Sequence, residues 1–222
     1  MIRGMIRGLV VTLLLTAIFA LSGPCYCQDR AALGSILEVL HRGHLSGSLE
    51  YWGCSDENEY VTRRFPITTT PANPSALPFQ VLREMFANDA DMQVTQEPDG
   101  TIRMVEKTVP QDLLNVKIGH ISFDDEQKKN HSMYFHTLVM DFITGTPEVK
   151  AFMKDHSIGF EPKVINQSMS PHPNFSGELN TVTLSQALDY MLKTFRGLWI
   201  YKECAGSKGN KRIVDFSFYS TE

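Results

Sequence analysis

The chain has 222 residues, of which 42% are hydrophobic and 21% are charged, and its formal net charge is −4. This composition excludes a disordered chain, a collagen-like repeat and a multi-pass membrane protein. The small excess of acidic residues gives no electrostatic reason to expect nucleic acid as a partner. The length is sufficient for one or two domains with a hydrophobic core.

The first residues have the layout of a secretory signal peptide. Two arginines precede an uncharged apolar run over residues 9–21, and a Ser-Gly-Pro sequence follows it. As a helix this run would span ~20 Å, which is short of the ~30 Å hydrocarbon core of a bilayer. We therefore predict a signal peptide over residues 1–27, cleaved after Cys27 or as early as Ser22, and a periplasmic or secreted protein with no stable transmembrane anchor after processing. An uncleaved membrane anchor is the alternative.

The position of the cleavage decides how many cysteines the mature chain keeps. Cleavage after Ser22 leaves four, and cleavage after Cys27 leaves only Cys54 and Cys204. Both numbers are even, which is typical of proteins exported to an oxidising compartment. We predict a disulfide between Cys54 and Cys204, joining the first strand region to the last hairpin. The chain-entropy model assigns such a long loop roughly 4–5 kcal/mol as an upper figure.

Hydrophobic periodicity predicts alternating helices and strands in the first half of the chain. The predicted elements are a helix at 29–42 ended by Gly43, strands at 45–52 and 59–67, a Pro-rich linker at 68–78, a helix at 77–88, and strands at 92–97 and 101–107. The last two strands flank Pro98-Asp99-Gly100, which is a strong hairpin signal.

The second half continues the same alternation. The predicted elements are a helical turn at 110–114, a strand at 116–123, a charged loop at 124–130, helices at 131–144 and 146–156, and strands at 163–167 and 175–182. Thr146 is the predicted cap of its helix, with proline in the first turn. Thr183 and Gln186 form a predicted capping box, Gly197 is the predicted left-handed stop, and strands follow at 198–204 and 212–219.

A weak internal repeat relates the two halves at an offset of 106 positions. The matched pairs are Leu82 with Leu188, Met85 with Met191, Phe86 with Leu192, and Val94 with Ile200. We therefore predict an N-terminal α+β region at 28–110, which is interpreted as a diverged half-repeat, and a second α+β module at 111–222. The predicted fold class is α+β, with small mixed sheets packed on amphipathic helices in repeated helix–β-hairpin units.

Residues 175–192, FSGELNTVTLSQALDYML, carry a resemblance to a known family. They resemble the short N-terminal domain shared by secretins and TonB-dependent receptors, in which a glycine-containing strand is followed by Val-Thr-Leu-x-x-Ala-Leu-Asp-x-(Leu/Met)-Leu, a glycine and a strand. The matching residues are Gly177, Val182, Thr183, Leu184, Ala187, Leu188, Asp189, Leu192, Gly197 and Leu198. The helix at 146–156 and the loop at 168–174 depart from a compact module. The resemblance implies an α+β sandwich that docks to other envelope proteins and has no catalytic residues to carry over.

Few residues suggest chemistry. His41 and His44 lack a third ligand nearby, so we expect neither a metal nor a cofactor. The acidic pairs at 56–59 and 124–126 are typical of solvated loops. The last hairpin is locally basic and is a speculative interaction surface for an acidic partner, although such charges often only keep an exposed hairpin soluble. Its basic residues are Lys202, Lys208, Lys211 and Arg212.

Two functions of different classes remain. The first is an exported, non-catalytic protein-interaction module of the bacterial cell envelope, whose partner is an envelope protein bound by strand addition at an edge hairpin or by the Pro-rich loop. The alternative is a small secreted hydrolase that uses carboxylates and histidines outside any known motif. The alternative predicts a deep pocket in which several of these residues converge: Asp124, Asp125, His131, His136 and His172.

Overall fold

The computed structural model describes residues 25–54, 76–124, 136–160, 175–205 and 212–221. In chain order the described elements are α1 (Cys25–Gly43), β1 (Gly47–Cys54), α2 (Pro78–Met85), β2 (Met92–Gln96), β3 (Ile102–Glu106), β4 (Lys117–Ser122), α3 (His136–Thr144), α4 (Pro147–Asp155), β5 (Ile158–Phe160), β6 (Glu178–Thr183), α5 (Leu184–Met191), β7 (Gly197–Ala205) and β8 (Arg212–Ser220). The predicted α+β fold class is confirmed.

Six of the strands form one mixed sheet in the order β2-β3-β1-β7-β8-β5, and β4 pairs with β6 in a separate two-stranded sheet. The hairpins β2–β3 and β7–β8 are antiparallel, whereas β1 runs parallel to both β3 and β7. The predicted boundary near residue 110 therefore does not separate two sheets, because β1 lies between one strand from each side of it. Each hairpin follows an amphipathic helix, but β1 pairs with the second strand of one and the first strand of the other.

The large sheet separates two hydrophobic cores, because successive side chains of a strand point to opposite faces. Leu198 and Ile200 of β7 belong to the core that contains α1 and α2. Trp199 and Tyr201 of the same strand belong to the core that contains α3, α4, α5 and the small sheet. Both cores are built from the apolar stripes that the helical periodicity predicts.

The two predicted helix caps differ in outcome. At α5 the capping box is present: Gln186 N–H donates to Thr183 Oγ1 at 3.2 Å, and Thr183 N–H donates to Gln186 Oε1 at 2.9 Å. At α4, Thr146 occupies the position before the helix but does not cap it with its side chain. Its hydroxyl donates backward to the carbonyl of Ile143 at 3.1 Å, so the prediction of a Thr146 side-chain cap is wrong.

Of the two predicted glycine stops, the helix end at Gly43 is confirmed and the left-handed conformation of Gly197 is wrong. α1 ends at Gly43 as predicted, but the left-handed residue is His44, with φ of 50°. Gly43 instead allows a close approach, because a Cβ there would lie 2.7 Å from Pro78 Cγ. Gly197 is not left-handed either. It begins β7, where a Cβ would lie 2.3 Å from the carbonyl oxygen of Tyr219.

Other boundaries follow the predictions within a few residues. Gly100 adopts the positive φ, 90°, that the predicted turn of the first hairpin requires. α1 begins at Cys25, inside the segment predicted as a signal peptide. β5 is only three residues long and was not predicted. The predicted strands at 59–67 and 163–167 lie outside the described residues, as do most of the Pro-rich linker and part of the charged loop.

Candidate functional site

A layer of polar side chains lies on the face of the large sheet that is covered by α5. Leu49 and Tyr51 of β1 point into the α1–α2 core, so alternation turns Ser48 and Glu50 to the opposite face. Glu50 is 1% exposed. Its carboxylate accepts hydrogen bonds from Ser48 Oγ at 2.9 Å, Gln111 Nε2 at 3.0 Å and Arg103 Nη1 at 3.2 Å.

Arg103 connects this layer to α5. It is the register partner of Ser48, so it projects from β3 beside Glu50. Its guanidinium also pairs with the carboxylate of Asp189 on α5, and Nη1 donates to Ser185 Oγ at 3.2 Å. The other oxygen of Asp189 accepts from Trp199 Nε1 at 3.0 Å. A single arginine therefore binds β3, β1 and α5 together.

A second ion-pair cluster lies at the end of β7 and the start of β8. Glu203 is 0% exposed, and its carboxylate binds both the hydroxyl of Tyr201 and the guanidinium of Arg212. Arg212 also makes a two-pronged pair with Asp112, with nitrogen–oxygen distances of 2.6 and 2.7 Å. Gln111 and Asp112 are adjacent, so their turn links this cluster to the Glu50 cluster.

Burial controls the protonation of the layer. It raises the pKa of Glu50 and of Asp189 above the usual values for these groups, against the opposing influence of hydrogen bonds and of Arg103. The hydrogen bonds from Arg212 lower the pKa of Asp112. Burial, together with the bond to Glu203, raises the pKa of the Tyr201 hydroxyl. The hydrogen bonds and ion pairs of these groups fasten α5 and the 111–112 turn to the sheet.

The basic hairpin that the sequence singles out is placed differently from the expectation of an exposed cluster. Arg212 is directed inward to Glu203 and Asp112, and its side chain is 17% exposed. Lys202 is half-buried in β7, and it also has a contact within the chain. Lys208 and Lys211 lie outside the described residues. The structure thus gives the predicted basic surface no support from Arg212.

The strand register bears on the predicted disulfide. Cys204 is disulfide-bonded. In the β1–β7 pairing, the backbones of Cys54 and Cys204 are register partners, one position beyond an irregularity in β1. This placement is compatible with the Cys54–Cys204 bridge, which stays a prediction.

Of the five residues proposed for hydrolysis, the structure describes Asp124 and His136, and each has a contact within the fold. Asp124 accepts a hydrogen bond from the backbone N–H of Gly177 at 2.9 Å. The ring of His136 packs on Phe218, with 4.6 Å between centroids. Asp125, His131 and His172 are outside the described residues, as is the acidic pair at 56–59.

His41 lies in the last turn of α1, and His44 follows the helix. His41 Nδ1 contacts the carbonyl oxygen of Thr221, beyond the end of β8. His44 is the left-handed residue after the helix. Among the described residues, no group of three or more His, Cys, Asp or Glu side chains is arranged to hold a metal ion.

The outer edge of β2 forms a different kind of site. Lys107 N–H donates to the carbonyl of Asp91, and Glu97 N–H donates to that of Thr101, both at 2.9 Å. Antiparallel pairing alternates, so the backbone groups of Met92, Val94 and Gln96 point away from β3. The N–H of Met92 donates a hydrogen bond to the carbonyl oxygen of Asp89 at 3.2 Å. No strand among the described residues pairs with this side of β2, which presents the N–H and C=O of Val94, the N–H of Gln96 and the C=O of Met92.

An open groove of about 540 Å³ accompanies this edge, between the end of α2 and β2. Its lining includes Arg83, Phe86, Asp89, Met92, Val94 and Lys107. Phe86 and Met92 also belong to the α1–α2 core, so the floor of the groove is apolar and firmly packed.

Sequence reasoning missed most of the polar layer. The sequences around Glu50 and Arg103 give no indication that these two side chains form an ion pair. A charged residue at a strand position expected to face inward was the available signal, because such residues are rarely buried unless paired. Asp189 was recognised only as part of the family resemblance.

Comparison with known proteins adds no relative: no family model, curated protein or solved structure matches the chain. Within the described residues, none of the helices combines the length and the apolar character needed to cross a bilayer.

Proposed function

We propose that this chain is an exported, non-catalytic module of the bacterial cell envelope that binds a protein partner by adding a strand of the partner to β2. The observation that carries the proposal is the outer edge of β2, which no strand in the described part of the chain covers and where the backbone groups of Val94 point away from the sheet. Strand addition obtains its affinity from such main-chain groups. The predicted signal peptide and the family resemblance support the envelope location.

β2 lacks the features that usually protect an edge strand. Its sequence, MQVTQ, contains no charged residue and no proline, and its register with β3 is continuous over all five residues. Natural proteins block edges with lysine, proline, bulges or very short strands. β5, at the other end of the sheet, is such a short strand, because it has only three residues. The contrast between the two edges favours β2 as the binding edge.

The polar layer supports a binding role in a different way. The carboxylates of Glu50, Asp189 and Glu203 each bind partners within the chain. They lie between α5 and the sheet or in the β7–β8 ion-pair cluster. We expect these bonds to make the sheet rigid. A rigid sheet presents its edge in a fixed conformation, which lowers the entropy cost of binding.

The test uses a photo-crosslinking amino acid in place of Gln96, which is exposed on the edge, in cells that make the full chain. We expect a crosslinked protein adduct at this position and none from the exposed Lys150 position on α4. Val94→Pro removes the outward N–H without breaking a β2–β3 hydrogen bond, and it should abolish the adduct.

Val94→Ala is the matched control, because it shortens the same side chain but keeps the N–H. It should preserve the adduct, and both variants should be checked for unchanged secondary structure by circular dichroism. Equal adducts from Gln96 and Lys150, or an adduct that survives Val94→Pro, would contradict strand addition at β2.

A further inference from the structure

The groove beside β2 determines which side chains an added strand can accommodate. Met92 and Val94 point to the α2 side of the sheet, where they line the groove with Phe86. A residue paired directly opposite Val94 places its side chain on that same side. The residues two positions before and after it do so as well, one beside Met92 and the other beside Gln96.

The floor beneath the central position is apolar. Phe86 is 3% exposed and Met92 is 8% exposed, and Val94 is half-buried beside them. A polar side chain seated there would lose water without gaining a hydrogen bond, which is unfavourable. The position opposite Val94 therefore favours an apolar side chain.

Two cations line the groove, and one of them, Lys107, lies at its Met92 end. Arg83 is exposed on α2, and its guanidinium is held 5.8 Å from the ring centroid of Phe79. Lys107 is also exposed, and its ammonium donates to the carbonyl of Ala90 at 2.7 Å. Ala90 lies two residues before Met92, so this cation is close to the start of β2.

Asp89 supplies the one negative charge of the lining. It is 8% exposed, and its Oδ1 accepts the backbone N–H of Asp91 at 3.1 Å. The three charged residues of the lining therefore have a net charge of +1. The two cations are exposed, whereas the anion is buried. Complementarity favours an anionic group at this end of an added strand.

We infer that the partner segment is an extended strand with an apolar residue opposite Val94 and a carboxylate two positions away, beside Met92. The inference rests on the proposed function and specifies the chemistry of the partner. Main-chain bonds to Val94 and Gln96 provide the pairing, and the groove selects the alternating side chains.

The test titrates the 15N-labelled full chain with blocked heptapeptides and follows the amide resonances of Val94 and Gln96. One peptide is Thr-Thr-Val-Thr-Glu-Thr-Thr, and its reverse, Thr-Thr-Glu-Thr-Val-Thr-Thr, serves the opposite strand direction. Two further peptides carry Lys in place of Glu. We expect one Glu peptide to bind about 5-fold more tightly than its Lys counterpart, since an exposed ion pair contributes up to ~1 kcal/mol.

Arg83→Glu should reverse this preference, and Arg42→Glu, at an exposed position on α1, should leave it unchanged. Val94→Pro should abolish the shifts from every peptide. Equal binding of Glu and Lys peptides, with loss on Val94→Pro, would overturn the carboxylate assignment while leaving strand addition in place. No shift at Val94 or Gln96 with any peptide would overturn the inference, and the crosslinking experiment then decides the proposed function separately.

Discussion

The guanidinium of Arg103 on β3 is paired with the carboxylate of Asp189 on α5, 86 residues further along the chain. The same guanidinium binds Glu50 on β1, 3.2 Å away, and Glu97 before the hairpin turn, 3.3 Å away. One cation thus faces three carboxylates, of which Glu50 is buried and Asp189 is half-buried. The docking of α5 on the sheet therefore depends on Arg103 as well as on apolar packing.

We expect Arg103→Ala to destabilise the fold by about 3–5 kcal/mol, because it leaves the buried carboxylate of Glu50 and the half-buried one of Asp189 without their counter-ion. Urea unfolding followed by circular dichroism measures the loss. Arg42→Ala is the control: Arg42 pairs with Glu38 at 3.3 Å, but both side chains are more than half exposed, so about 0.5 kcal/mol or less should be lost. A loss below ~1 kcal/mol for Arg103→Ala would contradict a structural role of this pair.

The pH dependence of stability should carry a signature of Glu50. Burial raises its pKa above 4.5, so near that pH the folded state binds its proton more tightly than the unfolded state does. The contribution of this group to stability is therefore complete below 4.5 and is lost as the pH rises through the folded pKa. We expect the unfolding free energy of Glu50→Gln to increase relative to that of the wild-type chain as the pH rises above 4.5.

Unfolding curves of the two proteins at several pH values provide the measurement. The amide also loses hydrogen bonds that the carboxylate accepts, but this cost does not depend on pH, so the slope is the readout. A constant difference between the proteins across this range would show that Glu50 does not titrate differently in the folded state.

Thr181 is a strained position whose replacement should stabilise the protein. Its φ is 52°, a left-handed conformation that is unusual for a β-branched residue. It falls between the β4–β6 pairs Ile118–Val182 and His120–Asn180, at an interruption of the regular pairing. The left-handed form costs about 1–2 kcal/mol, and glycine loses about 0.5–1 kcal/mol through chain entropy.

Thr181→Gly should therefore raise the unfolding free energy by about 0.5–1 kcal/mol. Thr95→Gly, in the regular strand β2, is the matched control and should lower it by about 1 kcal/mol. Thermal unfolding of the three proteins compares them directly. A decrease for Thr181→Gly would show that the threonine side chain stabilises the interruption.

The cysteine pairing can be read from a digest made under non-reducing conditions. We expect mass spectrometry to find one cross-linked peptide pair that contains Cys54 and Cys204, since these residues are register partners in β1 and β7. Reduction should lower the unfolding free energy by up to about 5 kcal/mol, the chain-entropy figure for such a long loop. Free thiols at both positions, or a bridge from Cys204 to Cys25 or Cys27, would contradict the pairing.

Local signals in the sequence predicted most helices and hairpins, and they failed where distant residues decide the conformation. The Thr183–Gln186 capping box and the Gly100 turn are determined by neighbours within four residues, and both are present. The sequence predicts Gly43 as the end of the first helix and Gly197 as a left-handed stop. Because glycine has no side chain, Pro78 can lie close to Gly43 and the backbone at Tyr219 can lie close to Gly197. No local sequence pattern reveals these contacts.

The candidate sites show the same limit. The β2–β3 hairpin was predicted, but that β2 would lie at the end of the sheet depends on β1 pairing with β3 and β7. The alternation of β3 places Arg103 opposite the α1–α2 core, yet its partners Glu50 and Asp189 come from other elements. A single sequence contains no signal for such non-local pairs.

The central position of β1 has a consequence for how the molecule forms. Gly47 pairs with Ile102 on one side and with Leu198 on the other, so the earliest strand of the chain acquires its second neighbour only when the final hairpin is present. Such non-local pairing slows folding. The sheet cannot be completed during synthesis of the first half. A protein truncated before β7 would expose the whole free side of β1 and should aggregate.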